Sequence, residues 1–306
     1  LAEELLRQDK EVVCIDNLSR GRYENLESAL KSKSLKFVKG DLTSKEFADS
    51  TIRDADLIYH LAAVNGTKYF YEKPRYVIET NFKTTENVLS AAAKNGIKKI
   101  VFSSTSEVYG LQSVFPTPET AQLIFDLPEV TRWSYAVSKL CDEHLCYSYA
   151  KEFGISVSCL RIFNTYGPRL LGTPYGQVVS IFIKNVLSGN QIEIFGDGEQ
   201  TRSFCYVSDT VDGMISSGNH TVNGAEVFNI GNEREISINR LAEMVISACG
   251  RSPRDVKIMY LPSLEGDSLR RLPSLRKARK ILNYEPRVGL EKGLKLTIDW
   301  FRAQFK

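Results

Sequence analysis

Tyr135 and Lys139 stand four residues apart in the run Trp133-Ser134-Tyr135-Ala136-Val137-Ser138-Lys139, which reads onward to Phe153 as a helix. At that spacing both side chains leave one helix face, a turn apart. An ammonium beside a phenol favours the phenolate, and a phenolate can take a proton from an alcohol while hydride leaves the carbon. The same pair occurs by chance on many amphipathic helices. The stretch Phe102-Ser103-Ser104-Thr105-Ser106-Glu107-Val108-Tyr109-Gly110 favours the chemical reading, because it sets hydroxyls and a carboxylate directly after an apolar, strand-like run.

The elements that must position these groups alternate along the chain. Leu1 to Lys10 has helical periodicity with no cap before it, so the sequence opens inside a helix. Glu11 to Asp16 and Leu35 to Asp41 read as short strands, each ending in an acid, and Ala55 to Ala63 as a third. Asn81 to Asn95 is a helix closed by Gly96, Lys98 to Ser103 a fourth strand and Ile155 to Phe163 a fifth. This alternation implies a Rossmann-like, doubly wound α/β fold with a parallel sheet covered on both faces. Ligands of such sheets sit outside the carboxyl ends of the strands. Asp16, Asp41, His60 to Ala63, Ser103 to Glu107 and Asn164 all lie at such ends and converge on one crevice.

Beyond Gly167 the pattern loosens. A loop is expected over 168–174, a helix over Val178 to Leu187, and a strand and tight turn over Ile192 to Gly198. Strands follow at Arg202 to Val207 and Ala225 to Gly231, with a helix from Ser237, its cap, to Cys249. Residues 251 to 274 are basic and punctuated by proline, and Leu290 to Phe305 is a last helix. The expected division is a dinucleotide-binding domain over 1–166, with later contributions near 204–230, and a smaller α+β substrate lobe over 167–306.

Composition narrows the function classes. Of 306 residues, 42% are hydrophobic and 25% charged, and 40 basic against 37 acidic residues leave +3, which argues against a nucleic-acid partner or a membrane surface. No apolar run approaches the roughly 18 residues of a spanning helix, and no signal peptide is read at the start. The six cysteines form no C-x-x-C pair and read as reduced thiols of a cytoplasmic protein. The three histidines show no metal-ligand spacing, so no metal site is expected.

The chain resembles the extended short-chain dehydrogenase/reductase family that modifies nucleotide sugars, the 4-epimerases, 4,6-dehydratases and uronate decarboxylases. The resemblance covers the whole sequence. Its markers are His60-Leu61-Ala62-Ala63, Ser103 to Gly110, Tyr135-x-x-x-Lys139, Arg161 to Arg169 and Gly196 to Phe204, in family order and spacing. It implies NAD as cofactor and a nucleotide sugar, a UDP-sugar in the first place, as substrate. By the same resemblance Tyr135 takes the proton of the sugar 4-hydroxyl, Lys139 holds the nicotinamide ribose and lowers the tyrosine pKa, and Thr105 shares the hydroxyl. Asp16 and Asn17 meet the adenosine ribose, Asp41 and Leu42 line the adenine, and Leu61, Ala62, Ala63 and Ser103 pass close to the cofactor. Asn164, Arg202 and Arg271 take the substrate side, Arg202 as a phosphate clamp.

One family element is not in the sequence: the opening strand and glycine-rich turn whose amides cradle the cofactor pyrophosphate. Leu1 to Leu6 matches the helix that comes after that turn, so the expectation is that roughly twenty further residues precede it in the natural protein. The family members share oxidation at sugar C4 and differ in their second step. Dehydration uses an Asp-Glu pair after the threonine, where this chain has Ser106 and Glu107, which disfavours it. Thr105-Ser106-Glu107 is similar to the uronate decarboxylases and to proteins grouped with 4-epimerases, and these two outcomes stay open. A 4,6-dehydratase, a small-carbonyl reductase and a non-catalytic family member are the alternatives. Outward apolar stripes, with Val88, Leu89, Leu140 and Leu145, and the family's habit of pairing these two helices across a four-helix bundle lead to an expected homodimer.

Overall fold

The computed structural model describes residues 1–170 and 177–304. Apolar runs ending in polar groups form strands, most of them shorter than the run that marks them, while β4 runs two residues past the expected Ser103. The order opens with α1 (Ala2–Arg7), β1 (Val12–Asp16), β2 (Leu35–Lys39), α2 (Lys45–Thr51), β3 (Ile58–His60), α3 (Thr67–Glu72) and α4 (Pro74–Lys94). It continues with β4 (Lys99–Thr105), α5 (Ser134–Phe153), β5 (Ser156–Ile162), β6 (Thr165–Tyr166), α6 (Val178–Leu187), β7 (Ile192–Phe195), β8 (Thr201–Ser203) and β9 (Cys205–Tyr206). The rest comprises α7 (Val207–Asn219), β10 (Ala225–Ile230), β11 (Glu235–Ser237), α8 (Ile238–Ala248), β12 (Ile258–Leu261), β13 (Arg270–Arg271), α9 (Arg276–Leu282) and α10 (Leu290–Gln304).

The central sheet is parallel and runs β10-β5-β4-β3, while β1 and β2 pair in parallel as a separate ladder. Period-two alternation sends side chains to two cores. Ile100, Phe102, Val157 and Cys159 pack with Val88, Leu89 and Cys146 of α4 and α5 on one face. Val101, Leu160, Phe228 and Ile230 pack with Met214 of α7 and with Leu282 and Tyr284 at α9 on the other. A third core lies in the C-terminal half, where Phe182, Ile183, Leu241, Val245, Ile298 and Phe301 enclose Ile192 and Ile194.

Several boundaries differ from the sequence reading. The helix expected from Asn81 starts at Pro74, whose ring presets the backbone angle of a first helical turn. The strand expected over Arg202 to Val207 breaks at Phe204, and residues from Val207 turn into α7. α3 has no counterpart among the expected elements. The loop expected over 168–174 lies partly outside the described residues. Val88 and Leu89 are buried in the core, and Leu140 and Leu145 are partly covered, so the outward stripe consists of other residues. On α4 the exposed apolar residues are Tyr76, Ile78 and Phe82, and on α5 Val137, Tyr147 and Phe153.

Leu160 is fully buried at the centre of β5, between β4 and β10. Replacement of Leu160 by Ala is expected to cost about 3 kcal/mol of unfolding free energy, from lost transfer energy plus the cavity left behind. Urea unfolding of the two proteins checks this, and a difference below about 1 kcal/mol would show that the site collapses around the smaller side chain.

Candidate active site

Two strand ends and one helix start supply the groups expected to act. β4 runs out at Thr105, whose hydroxyl accepts from the Glu107 amide at 3.2 Å and so caps the short 3-10 turn Ser106–Tyr109. Gly110 closes that turn at φ +63°, and a Cβ there would collide with the Ile124 carbonyl, so only glycine fits without displacement. Another 3-10 turn, Thr131–Trp133, leads directly into α5 and presents Tyr135 in its first turn.

The Tyr135 ring stacks on Phe70 of α3, with centroids 4.9 Å apart and planes 8° from parallel. Burial pushes the Tyr135 phenol above its ordinary value and the Glu107 charge adds to that push, while the neighbouring Thr105 side chain and Arg20 work against it. Lys139 is buried on the same helix, its ammonium meeting Asp142 at 3.4 Å and lying 4.0 Å over the Phe102 ring. The i, i+4 spacing thus puts both residues on one side of α5, and the lysine side chain then turns inward to the buried carboxylate. Burial lowers the Lys139 pKa, opposed by Asp142.

Glu107 lies between two guanidiniums. Arg132 Nη2 reaches both carboxylate oxygens, at 2.8 and 3.0 Å. Arg271 forks onto the same pair, with Nη1 on Oε1 and Nη2 on Oε2 at 2.9 Å. Burial alone would raise the Glu107 pKa, but Arg132 and Arg271 outweigh it and hold the carboxyl well below its usual range. Asp267 lies alongside, accepting from Arg202 Nη2 at 3.0 and 3.1 Å. Burial, helped by the neighbouring Arg271, lowers the Arg202 pKa to about 10. Tyr71 of α3 donates to the Glu265 carbonyl at 2.8 Å, which ties this C-terminal segment over the crevice.

The remaining expected residues fall into two groups. Asn164 adopts φ +24° and donates from Nδ2 to the Ser203 carbonyl at 3.1 Å, joining the end of β5 to β8. Ser106 is buried in the turn. At the ends of β1 and β2, Asn17 Nδ2 donates to Asp41 Oδ2 at 3.0 Å and Asp16 Oδ1 accepts from the Leu18 amide at 2.7 Å. Hydrogen bonds from Thr43 and Asn17 outweigh partial burial and hold Asp41 below its usual pKa. A Cβ on Gly21 would meet Asp16 Oδ2 at 2.7 Å, so a bare backbone passes over that carboxylate. Acceptor-only carboxylates beside a side-chain-free passage fit the hydroxyls of an adenosine ribose. The Leu42 carbonyl accepts from Asn87. Leu61 and Ala62 are exposed and Ala63 is half-buried, beside Ser103, whose hydroxyl donates to the His60 carbonyl at 3.0 Å. Asn81 fixes the end of this segment, pairing with both backbone groups of Val64 and with Ser138 of α5. Arg169 is not part of the crevice lining: it pairs with Glu3 at 2.8 Å and with the Asn25 carbonyl. Among the described residues no His, Cys, Asp or Glu cluster is arranged to hold a metal, and no helix is long and apolar enough to cross a membrane.

This layout, a parallel sheet with ribose acceptors at one end and a tyrosine-threonine pair beside it, defines a nicotinamide-dependent α/β enzyme. Residues 1–231 match the model of the NAD dependent epimerase/dehydratase family, and the chain belongs to that family. It is 37% identical over 305 residues to a UDP-N-acetyl-alpha-D-glucosaminuronate decarboxylase of Bacillus cytotoxicus, covering 99% of this chain and 93% of that protein. It superposes with TM-score 0.90 and 31% identity on a UDP-glucose 4-epimerase of Thermotoga maritima solved with UDP-glucose, covering 99% of this chain and 94% of the other. A UDP-glucuronic acid 4-epimerase of Bacillus cereus, solved with UDP-glucuronic acid and NAD, gives TM-score 0.89 at 29% identity, covering 99% and 95%.

Arg132, Asp267, Phe70 and Asp142 are absent from the residues that the sequence singles out. Arg132 stands three residues before Tyr135, and that adjacency is its one signal. Asp267 lies in a basic segment beside Gly266 and Ser268, where an acid carries no period.

His60 gives a pH test. Its ring is buried and bonded to Thr85 Oγ1 at 3.0 Å, and burial, with Lys139 nearby, lowers its pKa from 6.5 to about 3. Below pH 6.5 the unfolded chain therefore takes up a proton that the folded chain refuses, and stability is lost as pH falls towards 3. His60→Asn removes this loss, so its stability deficit at pH 7 should narrow at pH 5 in urea unfolding. A deficit independent of pH would show that the ring is not held neutral.

Proposed function

We propose that the protein oxidises the C4 hydroxyl of a UDP-uronate and decarboxylates the resulting β-keto acid. The observation that carries this reading is the ionised Glu107 clamped by Arg132 and Arg271 next to the Tyr135–Thr105 pair. A carboxylate held so firmly in its charged form is a poor proton shuttle, which speaks against dehydration across C5 and C6. Three guanidiniums facing two carboxylates leave one positive charge for a substrate anion.

Tyr135 accepts the O4 proton and Thr105 shares the same hydroxyl, so the alcohol is oriented before it reacts. Bound NAD supplies the acceptance of hydride from C4 and its later return. With C4 as a ketone, the C5–C6 bond breaks, carbon dioxide leaves, and the bond electrons are held by the C4 oxygen, to which Tyr135 can return its proton. Water supplies the proton at C5 as the O4 proton goes back to Tyr135 and the ketone re-forms, and hydride return to C4 with that same proton on O4 then gives the UDP-pentose. Arg202 takes the diphosphate, with Asn164 beside it, and Arg271 takes the uronate side. Asp16, Asn17, Asp41 and Leu42 hold the adenosine, and Lys139 the nicotinamide ribose. The cofactor half comprises 1–166 together with the stretch near 204–230, where β10 extends the sheet, and the rest of 167–306 is the substrate lobe.

A uronate 4-epimerase is the second reading, favoured by the close superposition on 4-epimerases. Incubation with NAD and UDP-glucuronate, UDP-N-acetylglucosaminuronate or UDP-glucose, with mass analysis of the products, separates them. Loss of carbon dioxide from a uronate is expected. An isobaric product from a uronate selects the epimerase, and turnover of UDP-glucose alone overturns the uronate reading. Tyr135→Phe should lower kcat at least about 100-fold, since general-base assistance contributes on that scale.

Ile78 and Phe82, a turn apart on α4, and Val137 of α5 are exposed and give two packed helices an apolar face. Pairing of this face with its copy gives a homodimer. Light scattering at micromolar concentration should report twice the chain mass, and monomer alone would exclude the dimer.

A further inference from the structure

Arg132 belongs to none of the motifs that mark the family, yet it touches more of the site than any of them. Its side chain is 5% exposed. One nitrogen, Nη2, grips both oxygens of Glu107, and the same guanidinium lies 5.2 Å over the Phe70 ring. Phe70 in turn stacks flat on Tyr135. Arg132 therefore meets the reacting phenol by two routes, through the charge of Glu107 and through the plane of Phe70. Its own position is set by the backbone turn that starts α5, so it moves with the helix that carries Tyr135.

We propose that Arg132 is a positioning residue for proton transfer at Tyr135, screening the phenol from the Glu107 carboxylate and holding Phe70 against the tyrosine ring. The inference rests on the reading of Tyr135 as the proton acceptor.

The charged and titratable groups facing this assembly come from every neighbouring element. Around Glu107 they are Arg132, Arg271 of β13, Arg202 of β8, Asp267 and Tyr71. Around Tyr135 they are Glu107, Asp142 and Arg20, with the Thr105 side chain as neighbour. Of the arginines, Arg132 and Arg271 contact Glu107 directly. Removing Arg132 leaves the Glu107 charge balanced by one guanidinium, and a less balanced anion disfavours a second negative charge on the nearby phenol. Phenolate then forms at higher pH. Lysine at the same place returns the charge without the planar group that covers Phe70.

The test is the pH dependence of kcat/KM and kcat, with NAD and whichever UDP-sugar the parent converts. In Arg132→Met the rising limb of the profile should move up by about one pH unit, with KM changed little and kcat at neutral pH lowered about tenfold. Arg132→Lys should bring the limb part of the way back. Adding Glu107→Gln to Arg132→Met should cancel the limb shift, because the charge that Arg132 screens is gone. This double variant also avoids an unpaired buried charge, so it remains informative if Arg132→Met folds poorly. A limb that stays in place in Arg132→Met and Arg132→Lys, with only thermal stability reduced, overturns the inference. So does a limb shift in Arg132→Met that persists undiminished with Glu107→Gln. A parent that converts none of the sugars, or a fully active Tyr135→Phe, fails at the earlier step and removes the premise instead.

Discussion

The Glu107 carboxylate, buried between Arg132 and Arg271, is the contact on which the crevice depends. Its three members come from the turn after β4, the turn before α5 and the short strand β13, 25 and 164 residues from the carboxylate in sequence. Taking each ion out of water costs several kcal/mol, and the mutual attraction offsets this only when the geometry is good. The pairing therefore joins the sheet-bearing half to the C-terminal half in one register, since a slipped arrangement leaves a charge buried and unpaired. The bidentate Arg202–Asp267 pair repeats the device on the same crevice wall, and the Tyr71 bond to the Glu265 carbonyl holds the segment that carries Asp267.

One physical cause explains most of the altered acid–base behaviour here. Burial raises Tyr135 and lowers Lys139, Arg202 and His60, in each case disfavouring the charged form. Glu107 and Asp41 go the other way, Glu107 because two guanidiniums overcome the same penalty and Asp41 because Thr43 and Asn17 hydrogen-bond its carboxylate. A site of this kind separates its roles. Glu107 is an anchored acceptor held in its charged form, whereas burial holds the Tyr135 phenol in its neutral one. The Lys139–Asp142 pair beneath α5 keeps an ammonium inside the protein.

The parts of this arrangement legible in the sequence are those set by short-range pattern. The strand end at Asp16 follows from an apolar run stopping at an acid, and the Tyr135 helix from its period and its closing Gly154, whereas the third strand stops at His60, short of the expected Ala63, and the fourth runs on past Ser103 to Thr105. The start of α7 reads as strand because Val207 continues the apolar pattern of Cys205 and Tyr206, and the turn into a helix is decided by packing onto β4 and β5. The outward stripe of α4 is expected at Val88 and Leu89, but those residues face Ile100 and Phe102, and the burial direction of a helix rich in apolar residues cannot be fixed by period alone. Arg132 and Asp267 are illegible for a different reason. A buried ion pair is specified by two residues far apart, and neither carries a local signature.

The charge balance of the crevice is local, and the whole chain conceals it. A net charge of +3 spread over 306 residues gives no reason to expect anion binding. Within the crevice, Arg132, Arg202 and Arg271 face only Glu107 and Asp267, and all three arginines are less than a tenth exposed. In a low-dielectric setting that single uncompensated charge acts far more strongly than the same charge on the surface, where salt screens it beyond about 10 Å. Because both carboxylates are already engaged, an incoming anion meets guanidiniums whose orientation is fixed beforehand, and the entropy of organising them is not lost on binding. That preorganisation is a property of the assembled fold, which brings β4, α5 and β13 to one place.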